Sequence, residues 1–151
     1  MFQHLSVQIL FTAIESALIA QILKFIGYLI VKRKINFQLL ATTGGMPSSH
    51  SSGIVALATM VGFLCGFGSI NFAIATGYSL VVMYDAAGLR RAAGKMATSL
   101  NKIMDDYYAH KQTDPRERLK ELLGHTPIEV FFGALLGIAV AYINFHYVFV
   151  A

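Results

Sequence analysis

The reading of SSGIVALATMVGFLCGFGSINFAIATGYSLVVMYDAA, residues 51–87, decides the fold. As one element it would be an over-long apolar helix; as two it is a helical hairpin. A helix needs about 20 residues to cross a bilayer. The middle of the block carries Gly62, Gly66, Gly68, Ser69 and Asn71, and such clusters mark turns. A turn is therefore predicted near residues 66–70, between helices over 51–65 and 70–87. The first is short, so it is either partly re-entrant or extended by its polar start.

Working outward, residues 5–31 are almost continuously apolar, interrupted by Gln8, Glu15, Gln21 and Lys24. Residues 127–150 form a last apolar stretch. With the hairpin, the count is four spans. Two polar stretches, 32–50 and 88–126, lie between them and hold every Lys and Arg except Lys24. Four spans put both basic stretches on one side, which the positive-inside rule makes cytoplasmic, with both termini outside. Three spans would separate them, so the charge map itself favours four.

Composition agrees. The chain has 151 residues, 56% hydrophobic and 13% charged, with net charge +4; soluble domains carry about 25% charged residues. The expectation is one all-α integral membrane domain over 1–151, a bundle of about four transmembrane helices plus a cytoplasmic amphipathic helix. The expected location is a bacterial cytoplasmic membrane. The single cysteine, Cys65, allows no intramolecular disulfide. No signal peptide is evident, because the first residues lack Lys and Arg and no small-residue cleavage site follows.

The amphipathic helix is read over residues 88–109. Leu89, Ala92, Ala93, Met96, Leu100, Ile103 and Tyr107 form one stripe, with Arg91, Lys95, Lys102 and Asp106 elsewhere around the helix. It either continues the third span or lies on the interface. A polar loop over 110–115 and a short helix over 115–123 complete the stretch.

Four groups of residues carry chemistry. The first is GGMPSSHSS, residues 44–52. Its glycines permit an unusual turn, and Pro47 suits the first position of a helix. Ser48, Ser49 and His50 then occupy the first turn, where free amides and the helix dipole favour an anion. His50 can hold a phosphate oxygen or protonate a leaving group. The plain alternative is an N-cap with an interfacial histidine. The second is GHTPIEV, residues 124–130. Thr126, Pro127 and Glu129 match a capping box with proline at the first helical position. That leaves His125, four residues before Glu129, whose carboxylate can orient the imidazole as in a nucleophilic triad.

The third is DAAGLRRAAGK, residues 85–95. Arg90, Arg91 and Lys95 are either topology anchors or phosphate clamps. Asp85 either holds an arginine in place or contacts a metal. The fourth is Lys24, about two turns inside the first span. It either snorkels to the headgroups or points inward at the same anion. Glu15, deeper, reads as a buried polar contact between helices or protomers. His4, His110 and His146 have no supporting context. No Cys/His cluster suggests zinc, no Walker-type loop suggests nucleotide, and no aromatic interleaving of the basic stretches suggests nucleic acid.

At GGMPSSHS, YDAAGLRRAAGK and LKELLGHTPIEV, in that order, the chain resembles the type 2 phosphatidic acid phosphatase superfamily, which includes the vanadium-dependent haloperoxidases. It is most similar to the small divergent branch of that superfamily, over about residues 24–137. The resemblance implies that His125 is a nucleophile forming a phosphohistidine, that His50 is the general acid, and that Glu129 stands for the orienting Asp. Lys24 matches the first-motif lysine. The chain departs from the superfamily pattern at three places: Ser49 replaces Gly before His50, no Arg-Pro follows Lys24, and Leu119, between Arg118 and Lys120, stands where an Arg six residues before His125 is usual. The phosphate-binding cations are then expected from Arg90, Arg91, Lys95 and Lys120, beside the Ser48 and Ser49 hydroxyls.

The resulting expectation is a hydrolase of a lipid phosphomonoester or pyrophosphate (phosphatidate, phosphatidylglycerophosphate or polyprenyl pyrophosphate) at the cytoplasmic face. No cofactor is required, and vanadate is expected to inhibit as a phosphate mimic. The partners expected are the bilayer and a phosphorylated lipid. Four spans where membrane relatives usually have six leave room for a homodimer. The rival expectation is a non-catalytic protein that binds or transfers phospholipid through the same anion site.

Overall fold

A computed structural model describes residues 2–33, 45–108, 119 and 124–149. Its described elements are all helical: α1 (Phe2–Lys32), α2 (Ser49–Cys65), α3 (Ile70–Ala87), α4 (Leu89–Tyr108) and α5 (Pro127–Ile143), the last running into a π-helical segment, Asn144–Phe149. The polar loop and short helix expected over 110–123 lie outside the described residues, apart from Leu119.

The boundaries follow local chemistry. Helices α2, α3 and α5 start at Ser48, Ser69 and Thr126, whose side-chain oxygens accept from the amides of Ser51, Phe72 and Glu129. Each cap satisfies one amide that has no partner within its helix. The predicted turn is present: Gly66 closes α2 at φ +90°, a left-handed conformation that favours glycine. Pro47 precedes the N-cap of α2 rather than occupying its first turn, because Ser48 takes the capping role and the chain turns at Met46–Pro47. Likewise the last span is not uniformly α-helical, since it widens at Asn144.

Three helical stretches are apolar and long enough to cross a membrane, Leu5–Lys32 in α1, Ile70–Tyr107 through α3 and α4, and Pro127–Phe149 through α5 and its π-helical end; α2 is a shorter apolar helix. At 1.5 Å per residue, α1 is about 45 Å long, against a hydrocarbon core of about 30 Å. The core is the mutual packing of α1, α2 and α5; α3 packs on α2 and lightly on α5, and α4 mainly on α3. Apolar burial alone does not join helices in lipid, so close packing and hydrogen bonds do. A Cβ added at Gly133 would strike the Ser48 carbonyl oxygen and the Ser51 side chain, and one at Gly137 the backbone of Ser52 and Ala56. Helix α2 therefore lies directly against the glycine face of α5. Against α1, Gly53 faces Ala13 and Ala17, and the fully buried Ser16 and Ser52 hydroxyls meet at 2.6 Å.

Helix α4 presents its sequence-predicted stripe outward: Met96, Leu100, Ile103 and Tyr107 are exposed, whereas Gly94, Ala97 and Asn101 are buried. On the buried side the Asn101 amide bonds both the N–H and the carbonyl of Leu119, which follows α4 in the chain. Amphipathic period located the helix, but the stripe does not pack on the bundle.

Candidate functional site

The site is built where α1, the start of α2 and the start of α5 meet. Gly45 and Gly124, at φ +92° and +95°, turn the chain into the two motifs. Two backbone bonds then fix the motifs in place. The Ser48 N–H donates to the Glu129 carbonyl at 3.1 Å, and the His125 N–H donates to the Ala86 carbonyl at 2.9 Å. The first joins the α2 loop to α5; the second gives a partner to a carbonyl in the last turn of α3.

His125 is 2% exposed. Its Nδ1 lies 3.1 Å from Glu129 Oε2, and the same oxygen accepts the Thr126 N–H at 3.1 Å. The Glu129 N–H in turn donates to Thr126 Oγ1. Glu129 is therefore both the capping-box acid and the partner of the imidazole. With the Nδ1 proton donated to the carboxylate, the Nε2 lone pair is the nucleophilic one.

His50 faces His125 from the first turn of α2, with ring centroids 6.3 Å apart and planes inclined by 61°. Attacking and attacked atoms approach at about 3 Å, and a proton donor sits about 3 Å from the leaving oxygen. The two imidazoles are therefore neighbours at one site. His50 is exposed and His125 buried, so one ring stays accessible to solvent while the other is held.

Lys24 points inward. It is 4% exposed, and its stem lies beneath Gly45, where an added Cβ would sit 3.2 Å from Lys24 Cδ. Its ammonium has no hydrogen-bond partner among the described residues. Burying a cation without hydrogen bonds is costly.

The serines divide. Ser48 is fully buried and its oxygen caps α2, accepting from the Ser51 N–H and the Ser51 hydroxyl; Ser49 is also buried. Lys95 stands on the exposed surface of α4 beside Met96, Ser99 and Leu100, and α4 packs mainly on α3. Arg90 and Arg91 lie in the first turn of α4, with their side chains outside the described set, as is Lys120. Asp85 is half-buried in the last turn of α3. No group of three His, Cys, Asp or Glu forms a metal site among the described residues. Sequence reasoning missed Gly133 and the Ala86 carbonyl, both of which hold the motifs in register. The Gly133–Gly137 spacing was the available signal for the first; a backbone carbonyl leaves none.

The divergent PAP2 family matches residues 5–140, which takes in Lys24 and both histidine motifs. The chain belongs to this family. It is also 41% identical over 139 residues to the "Uncharacterized membrane protein YuiD" of Bacillus subtilis (strain 168), covering 85% of this chain and 88% of the relative. No solved structure matches. Family membership and the apolar helices together make this a membrane protein of the divergent PAP2 type, in agreement with the resemblance of its three motifs.

Proposed function

We propose that the chain is a lipid-phosphate phosphatase working through a phosphohistidine. The observation that carries this reading is the buried His125–Glu129 pair facing His50 across 6.3 Å. His125 Nε2 attacks phosphorus, forming the P–N bond as the P–O bond to the lipid breaks. Protonated His50 gives its proton to the departing alkoxide, or to the departing phosphate of a pyrophosphate. Neutral His50 then takes a proton from water as that water attacks the phosphohistidine, releasing inorganic phosphate and free His125. Lys24 and the α2 amides offset the charge on the phosphoryl oxygens, with Arg90, Arg91, Lys95 or Lys120 adding to them from the polar stretches. These groups complete the reaction without a cofactor, and vanadate should occupy the phosphoryl position.

The charge map supports a cytoplasmic site with both termini outside. Phosphate release from phosphatidate, phosphatidylglycerophosphate and polyprenyl pyrophosphate, measured in detergent beside His50→Ala and His125→Ala, tests the reading. Activity against at least one lipid, lost in both variants, is expected. No release from any lipid, or full activity in His125→Ala, overturns it.

One observation favours a second reading, a non-catalytic phospholipid binder. Lys24 is the one buried cation among the described residues, which is sparse neutralisation for a reacting phosphoryl group. Lipid-phosphate binding without turnover, unchanged in His125→Ala, selects it.

A further inference from the structure

Between α1 and α5, beneath the Met46–Pro47 turn, lies an apolar groove of about 400 Å³. Its walls are Leu23 on α1, Met46 and Pro47 on the turn, and Phe132, Leu135, Leu136 and Ala139 on α5. Three of these walls adjoin the phosphoryl site. Leu23 precedes Lys24, Pro47 precedes the Ser48 cap, and Phe132 lies one turn below Glu129. From Phe132 to Ala139 the groove follows α5 for about 10 Å.

We infer that this groove seats one hydrocarbon chain of the lipid whose phosphate reaches His125, so that substrate enters sideways from the bilayer between α1 and α5. The inference rests on the phosphatase reading for the identity of the head-group site. The occupant follows from the two ends of the path. At the head end a buried lysine ammonium has no hydrogen-bond partner among the described residues. Down the groove every named wall is apolar, and Leu23, Met46, Phe132 and Leu135 remain exposed on the lipid-facing surface. An anionic head on a hydrocarbon chain satisfies both ends; a soluble phosphate ester satisfies only the first.

The groove's contribution is orientation rather than affinity. A lipid chain leaving the bilayer for an apolar groove exchanges one hydrocarbon environment for another, so no hydrophobic driving force is gained. What is gained is a fixed approach of phosphorus to His125, and misplacement by about 1 Å can cost about 100-fold in rate. Ala139 has the smallest side chain among the α5 walls, so added bulk there enters the groove, and it is exposed, so a large side chain there is compatible with folding.

The test uses the full chain in lipid nanodiscs. Ala139→Trp, with Leu136→Trp as a second blocking variant, should lower kcat/KM for dipalmitoyl phosphatidate by about 10- to 100-fold. Hydrolysis of p-nitrophenyl phosphate, which has no chain, should stay within about twofold of the unsubstituted protein. Equal losses on both substrates in both variants, or no loss on phosphatidate, overturn the inference. A binding arm is independent of turnover: phosphatidate with a diazirine midway along one chain should label Leu23, Leu135 and Ala139. Label spread evenly over the lipid-facing belt, including Val81 and Ile138, overturns the groove. Groove-confined label with no phosphate release supports the groove and overturns the phosphatase reading.

Discussion

Glu129 Oε2 accepts from the Thr126 amide and partners the His125 ring at the same time, and the two roles separate by substitution. Gln at this position of a capping box still caps, but it carries no charge to hold an imidazolium. Glu129→Gln should keep thermal stability within a few tenths of a kcal/mol and lose about 10²–10⁴ in kcat, checked by melting and phosphate release. In the proposed mechanism His50 acts on the leaving group, so its value depends on that group's basicity. His50→Ala should cost about 10²–10⁴ on an alkyl lipid phosphate and clearly less on p-nitrophenyl phosphate, whose phenolate leaves without a proton. Equal losses on the two would remove His50 from the general-acid role. Lys24 trades stability for binding. Replacing a buried cation with a well-packed apolar side chain is often neutral or stabilising, so Lys24→Met should melt no lower than the unsubstituted protein while losing most vanadate inhibition.

At the scale of elements, the site is held by helix contacts more than by its own hydrogen bonds. Gly133 lets the Ser48 carbonyl press against α5, which keeps the α2 loop in register with Glu129. Gly133→Ala must push α2 away, at a cost of about 1–3 kcal/mol, and should reduce activity together with stability. The Ser16–Ser52 clasp is further from the chemistry; Ser16→Ala should cost about 0.6 kcal/mol, the average for an interhelical bond in lipid, with activity retained. Melting and turnover measured on both variants separate these outcomes.

Much of this was legible in the sequence. Caps, the Gly66 turn and the His125–Glu129 pair are local, written in residues one to four apart. The start of α2 was displaced by two residues because Pro47 suits a first helical turn as well as it suits the position before a cap. The inward aim of Lys24 was not legible, since snorkelling and inward pointing have the same sequence; contact with Gly45, 21 positions away in the chain, decides it. The outward stripe of α4 shows the same limit: period finds an amphipathic face but not what that face meets.

For the whole molecule, the central claims are orientation and covalent chemistry. Cys65, the single cysteine, is exposed at the end of α2 opposite the His50 end, and in the proposed orientation it lies outside the cell. A membrane-impermeant maleimide should label it in intact cells; labelling only after the membrane is opened would invert the topology. The most direct measurement of the account is a denaturing quench at alkaline pH during turnover of a ³²P-labelled lipid phosphate, followed by peptide mapping at alkaline pH. It should find an acid-labile, base-stable phosphoryl group on His125, absent in His125→Ala. Turnover with no phosphohistidine, or the same label in His125→Ala, would contradict the mechanism.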